Sequence, residues 1–255
     1  MNIVQRFVSK TKLRSARQSN KQLNVVVTGG SRGLGKAMCE RFLREGDRVV
    51  MICRNPRNVE PHDNLMVIEK DVMDVTSKLF DHKVDLWINN AAVSGGYRRF
   101  IDQPDEKIIE VLETNLICAA LCSKLAFEIM STQPDGGAIF NMSGAGANGF
   151  STPDFSLYGA SKAGVVQLTR SLQAEWKDTN VDIHIVSPGM MKTDLLLENL
   201  PESVYKMVSH FCTDPEIVGE WLVEAMKDTY YNAEDDAFIN YMTLTRVMKK
   251  VIDKK

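Results

Sequence analysis

Short apolar runs and longer stretches with helical spacing alternate along this chain. Leu23 to Thr28 (LNVVVT) is rich in β-branched residues and almost continuously apolar, the pattern of a strand covered on both faces of a parallel sheet. Leu34 to Glu45 follows, with apolar Leu34, Ala37, Met38 and Phe42 at helical spacing and Gly46 closing the segment. DRVVMICR, LMVIEKD, VDLWINNAA, GGAIFNMS and VDIHIVSPG read as further strands. Glu106 to Met130 and Tyr158 to Lys177 read as long helices between the later ones.

This alternation implies right-handed crossovers and an α/β class: a single-domain, doubly wound Rossmann fold with a mostly parallel sheet and helices on both faces. Asp194 to Asp214 is apolar but follows a strand end, where such folds carry ligand-facing insertions. The expected domain spans residues 23–255. Residues 1–22 differ in character. From Met1 to Asn24 the charges are Arg6, Lys10, Lys12, Arg14, Arg17 and Lys21, with several serines and no acid, which fits an organellar targeting remnant or a basic tail.

Composition changes the picture only by exclusion. With 44% hydrophobic and 25% charged residues over 255 positions, the chain can build one large core. A formal net charge of -2 argues against a nucleic-acid partner. The five cysteines are odd in number without C-x-x-C spacing, and the four histidines form no cluster, so reduced thiols and no metal are expected.

Two glycine-rich segments compete as a phosphate cradle. Gly144 to Gly149 (GAGANG) matches the G-x-G-x-x-G spacing, yet it runs through Ser151-Thr152-Pro153-Asp154 before the next helix. Gly29-Gly30-Ser31-Arg32-Gly33-Leu34-Gly35 instead joins a strand directly to a helix. That context brings backbone and a helix N-terminus to a pyrophosphate. At the end of the second strand, where a carboxylate would meet two ribose hydroxyls, stands Arg54, with Arg57 nearby and Arg32 in the loop. Guanidinium groups favour a 2′-phosphate, hence NADPH/NADP. Tyr158 and Lys162 are spaced i, i+4, one helical turn apart. An ammonium there stabilises a phenolate and is expected to lower the tyrosine pKa for acid–base work.

From about Leu23 onward these residues resemble the short-chain dehydrogenase/reductase family. The match includes T-G-x-x-x-G-x-G at 28 to 35, Asp71, Asn89-Asn90-Ala91-Ala92, Asn115, Ser143, Tyr158-x-x-x-Lys162 and Pro188-Gly189-x-x-x-Thr193. The resemblance implies that Tyr158 donates a proton to a carbonyl oxygen, that Lys162 holds the nicotinamide ribose, and that Asn115 anchors a water relay. It also implies that Asp71 and Val72 border the adenine, Asn90 and Ala91 line the cofactor, and Pro188, Gly189 and Thr193 wrap the nicotinamide amide. Ala92 departs from the family's usual glycine. Ser143 is the only strand-end hydroxyl and the candidate catalytic residue for orienting the carbonyl, but its register is one residue early for the family's serine, leaving open whether Ser143 or Gly144 occupies that position.

IFNMSGAGANGFSTPDFSLYGASKAG, HIVSPGMMKTDLLLENL and FINYMT are similar to segments of the chlorophyll(ide) b reductases of plants and algae. That likeness implies NADPH-dependent reduction of a C7 formyl group on a tetrapyrrole pigment. A plastid location with work at the thylakoid surface then follows, and otherwise a cytoplasmic one. The glycines at 144 to 149 are expected to let a flat ring pass close to backbone, under an apolar cover from Leu195 to Phe211. A reductase of a 3-oxoacyl thioester or small ketone, and a non-catalytic NADP(H) sensor, remain open as alternatives. Homo-oligomerisation through the two long helices is also implied by family resemblance.

Overall fold

The computed structural model describes Arg17 and residues 21–56, 59–197, 200–234 and 236–243. Arg57 and residues 1–16 of the basic segment lie outside the described residues. Among the described residues seven strands form one sheet in the order β3-β2-β1-β4-β5-β6-β7, and every neighbouring pair runs parallel. They are β1 (Asn24–Thr28), β2 (Arg48–Cys53), β3 (Leu65–Glu69), β4 (Leu86–Asn89), β5 (Gly137–Met142), β6 (Val181–Ser187) and β7 (Phe238–Asn240). The order reverses between β3 and β4, so the carboxyl ends of β1 and β4 flank the crevice where doubly wound sheets take ligands.

Side-chain alternation distributes the strands over two cores. Val25, Val27, Leu86, Ile88, Phe140 and Met142 face one layer, which is closed by helices α1 (Gly33–Arg44) and α7 (Pro215–Tyr231). Val26, Ile52, Trp87 and Ile139 face the other, closed by α3 (Cys118–Met130) and α4 (Ser156–Trp176). A sheet buried on both faces explains why its strands read as continuous apolar runs. Helices α1 and α7 pack closely because Gly219 lacks a side chain: a Cβ there would stand 2.8 Å from that of Ala37.

The helix expected over 106 to 130 is interrupted. Helix α2 (Asp105–Leu112) passes through a π-helical turn at Glu113–Ile117 before α3. The insertion after β6 carries α5 (Asp194–Leu197) and α6 (Glu202–Val208), and a bridge between Met191 and Thr213 closes its neck.

Arg17, read as part of a solvated basic tail, is only 6% exposed. Its guanidinium donates to the Asp182 carboxylate at 2.8 Å and to the Tyr230 carbonyl at 3.2 Å, and lies 4.5 Å from the Tyr230 ring centroid. Burying a charge costs free energy unless it is paired, and here every face of the guanidinium has a partner.

Candidate active site

The loop after β1 turns through Gly29 (φ 66°) and Gly33 (φ 53°) into α1. Arg32 precedes that helix without a side-chain cap, and the first turn has no acidic residue, so neither a capping side chain nor a first-turn carboxylate engages the first N–H groups of α1. A Cβ on Gly29 would lie 2.8 Å from Ala91 Cα, and one on Gly35 would run into the Gly29 carbonyl and come within 2.6 Å of Asn90 Nδ2. The end of β4 is fastened to this loop. Thr28 Oγ1 accepts from the N–H groups of Asn90 and Ala91, both at 3.0 Å, while Asn90 Nδ2 donates to the carbonyls of Thr28 and Gly29 at 3.1 Å.

A cleft of about 790 Å³ opens along these strand ends. Gly29, Ser31, Arg32, Gly33, Leu34, Gly35, Arg54, Asp71, Val72, Asn90 and Ala91 line one part, and Ser143, Tyr158, Lys162, Pro188 and Thr193 the other. Arg54 stands 3.9 Å from the Asp71 carboxylate and Arg32 3.7 Å from that of Asp194, all four side chains being substantially exposed. Asp71 also accepts the Met73 N–H at 3.0 Å, which caps a short 3-10 turn. Thr193 lies over the loop: a Cβ on Gly33 would meet its Cγ2 at 3.3 Å. Gly189 does not line the cleft. Its φ of 76° and the Met242 side chain packed where its Cβ would stand make it a turn residue behind the wall.

Tyr158 and Lys162 project from the first turns of α4, 8% and 2% exposed. The ammonium lies 5.8 Å from the phenol ring centroid and donates to the Met142 carbonyl at 3.0 Å. Burial pushes the Tyr158 phenol up to about 12 and the Lys162 ammonium down to about 8. The expected lowering of the tyrosine is therefore reversed, because desolvation outweighs an ammonium at this distance. At pH 7 the pair is a neutral phenol beside a charged lysine, the proton state of an acid ready to donate.

Asn115 sits in the π-helical turn, 1% exposed and outside the lining of the cleft. Its Oδ1 accepts the Val93 N–H at 2.8 Å, and its Nδ2 donates to the Val93 carbonyl at 2.9 Å and to Ser161 Oγ at 3.0 Å. Ser161 Oγ in turn donates to the Tyr158 carbonyl at 2.7 Å. The extra residue of the π turn is the local irregularity that such sites often use.

The Ser143 hydroxyl donates to the Val186 carbonyl at 3.1 Å, across to β6. It is Gly144 that meets the tyrosine: a Cβ there would stand 2.6 Å from Tyr158 Oη. The glycines at 144 and 146 lie against α4, since a Cβ on Gly146 would be 2.6 Å from Gly159 Cα. Their missing side chains make room for the chain's own helix, where the sequence suggested room for a flat ring. Thr114 and Cys118 also line the cleft, as do Pro215 and Glu216 at the start of α7. The Asp-Pro helix start before Glu216 was a legible signal. Nothing in the spacing of Cys118 marked it.

The sequence model for the short chain dehydrogenases matches residues 23–203. The chain is 35% identical over 262 aligned positions to the probable chlorophyll(ide) b reductase NYC1, chloroplastic, of Arabidopsis thaliana, an alignment covering 90% of this chain and 52% of that protein. It is 35% identical over 239 positions to the chlorophyll(ide) b reductase NOL, chloroplastic, of Oryza sativa subsp. japonica, covering 81% of this chain and 70% of that one. The chain thus spans about half the length of the first relative. A solved short-chain dehydrogenase from Streptomyces avermitilis shares the fold at a TM-score of 0.73 and 21% identity, covering 92% of this chain and 95% of that one.

Proposed function

Because the chain belongs to the short-chain dehydrogenase family, we propose that it is an NADPH-dependent reductase of a carbonyl group on a tetrapyrrole, converting the C7 formyl of chlorophyll(ide) b to hydroxymethyl. The observation that carries the reading is one shared cleft: Tyr158 and Lys162 open on the same space as the uncapped N-terminus of α1. The pigment rests on likeness to the two plant reductases. Both are named as chloroplastic, which supports work in the chloroplast, and a pigment substrate supports work at the thylakoid surface. Exposed Ile109, Ile117 and Leu121 along the helices of residues 105–130 support homo-oligomeric assembly.

The residues present fit a dinucleotide. Cβ atoms at Gly29 and Gly35 would collide with the end of β4 and with the loop itself, so this loop keeps its backbone bare beside a free helix N-terminus. The first turn of α1 would hold the pyrophosphate, and Arg32 with Arg54 would hold the 2′-phosphate, while Lys162 would hold the nicotinamide ribose. When bound, the reduced nicotinamide supplies the hydride to the carbonyl carbon. Tyr158 gives its proton to the carbonyl oxygen as that carbon is reduced. Lys162, kept at the ring by the Met142 carbonyl, stabilises the phenolate left behind. Asn115 bonds Ser161, which bonds the Tyr158 carbonyl, and so braces the turn that carries the donor.

Purified protein mixed with NADPH and chlorophyllide b should convert the formyl-shifted Soret band to that of the hydroxymethyl pigment. Turnover of a 3-oxoacyl thioester or small ketone, with the pigment band unchanged, would replace the pigment assignment.

A further inference from the structure

The proton donor has a neighbour that carries no side chain. Tyr158 Oη, Cε1 and Cζ lie 2.6, 2.9 and 3.0 Å from where a Cβ of Gly144 would stand, closer than any real Cβ is tolerated. On its other flank the phenol ring packs against Phe155, centroids 4.7 Å apart. The loop that brings Gly144 there is itself locked to α4. Gly146, at φ 83°, lets its backbone touch Gly159, whose own missing Cβ is replaced by the Thr152 hydroxyl. Thr152 Oγ1 then donates to the Phe155 carbonyl at 3.3 Å, tying the loop to the residue that flanks the phenol.

We propose that Gly144 is a positioning residue for Tyr158, whose phenol is held against bare backbone and meets the carbonyl oxygen with no second hydroxyl at residue 144 beside it. The proposal rests on Tyr158 being the proton donor. Residue 144 offers no hydroxyl, and that of Ser143 is spent on the Val186 carbonyl. Orientation of the oxygen and delivery of the proton therefore fall to one group, so its place must be fixed from outside. A displacement of about 1 Å at such a centre costs about a hundredfold in rate. Gly144→Ala forces a displacement of that order, because the added methyl and the phenol oxygen cannot share the space.

The test is a double-mutant cycle on the full chain, read as single-turnover oxidation of NADPH with chlorophyllide b. Gly144→Ala is expected to lower the turnover rate at least about thirtyfold, with KM for the aldehyde and Kd for NADPH within about threefold. In the Tyr158→Phe background the same change is expected to cost nothing further, because the group it displaces no longer donates. A double variant markedly slower than Tyr158→Phe overturns the proposal, as does wild-type turnover by Gly144→Ala. Wild-type turnover by Tyr158→Phe instead overturns the proton-donor reading beneath it. Should Gly144→Ala fail to fold, Tyr158→Ala removes the ring it strikes. Gly144→Ala/Tyr158→Ala must then melt with Tyr158→Ala, and a double that stays unfolded refutes the contact.

Discussion

The loops after β1 and β5 are both rich in glycine, and they use their missing side chains in different ways. After β1, Gly29 and Gly35 let the turn close on itself and on the end of β4, leaving the N-terminus of α1 bare toward the cleft. After β5, Gly144 and Gly146 let the chain lie against its own Tyr158 helix. The spacing G-x-G-x-x-G describes the second loop better than the first. What separates them is the group standing where each Cβ would be, Ala91 and the Gly29 carbonyl in one and the Tyr158 phenol in the other.

A large effect on the first loop's side of the cleft sharpens this contrast. Arg54→Ala should weaken NADPH binding by about tenfold to a hundredfold, measured by fluorescence titration, and leave NADH unchanged, because a charge-assisted contact to the 2′-phosphate is lost. Equal loss for both cofactors would remove the arginine from that role. The next concerns the pair served by the second loop. Lys162 keeps its charge below a pKa of about 8 and loses it above, while Tyr158 stays protonated to about 12. Reduction at saturating substrate should therefore hold from pH 6 to 8 and fall by up to about tenfold per unit beyond. A rate that rises through pH 9 would contradict the assignment.

The smallest effects fall on residues of the second loop that do not touch the phenol. Ser143→Ala should leave turnover within about threefold and stability within about 1 kcal/mol by denaturant titration, because the Val186 carbonyl still accepts the residue 143 N–H at 2.8 Å. A hundredfold loss of rate would give the carbonyl-orienting role back to this hydroxyl. Gly149 has φ 83° and nothing within 4 Å of its absent Cβ. Gly149→Ala should cost about 1 kcal/mol of backbone strain and little activity.

The sheet and its crossovers were legible because each strand is apolar on both faces, as Val25, Val26 and Val27 illustrate by facing alternate cores. Helix α7 has equally clear periodicity in Val218, Leu222, Met226 and Tyr230, with Pro215 at its start. The π turn at Glu113–Ile117 left no mark in hydropathy, since one extra residue only shifts the apolar stripe. The burial of Arg17 was also illegible, because its partners Asp182 and Tyr230 are more than 160 residues away.

At the site, the Tyr158/Lys162 spacing and the Gly29 to Gly35 context led to one cleft. Composition could not tell whether Ser143 or Gly144 occupies the carbonyl-orienting position. That depends on a one-residue register at the end of β5, where side chains alternate sides. The direction of the Tyr158 pKa shift is hidden from the sequence for a related reason. Spacing reveals the neighbouring ammonium but not the depth of burial, and burial dominates.

Titrating NADPH into Gly35→Ala and Gly144→Ala side by side tests the division between the two loops most directly. Gly35→Ala is expected to weaken binding by about a hundredfold or more, while Gly144→Ala binds within about threefold of wild type and turns over slowly. Wild-type binding by Gly35→Ala, with binding lost in Gly144→Ala, would reverse the roles of the two loops.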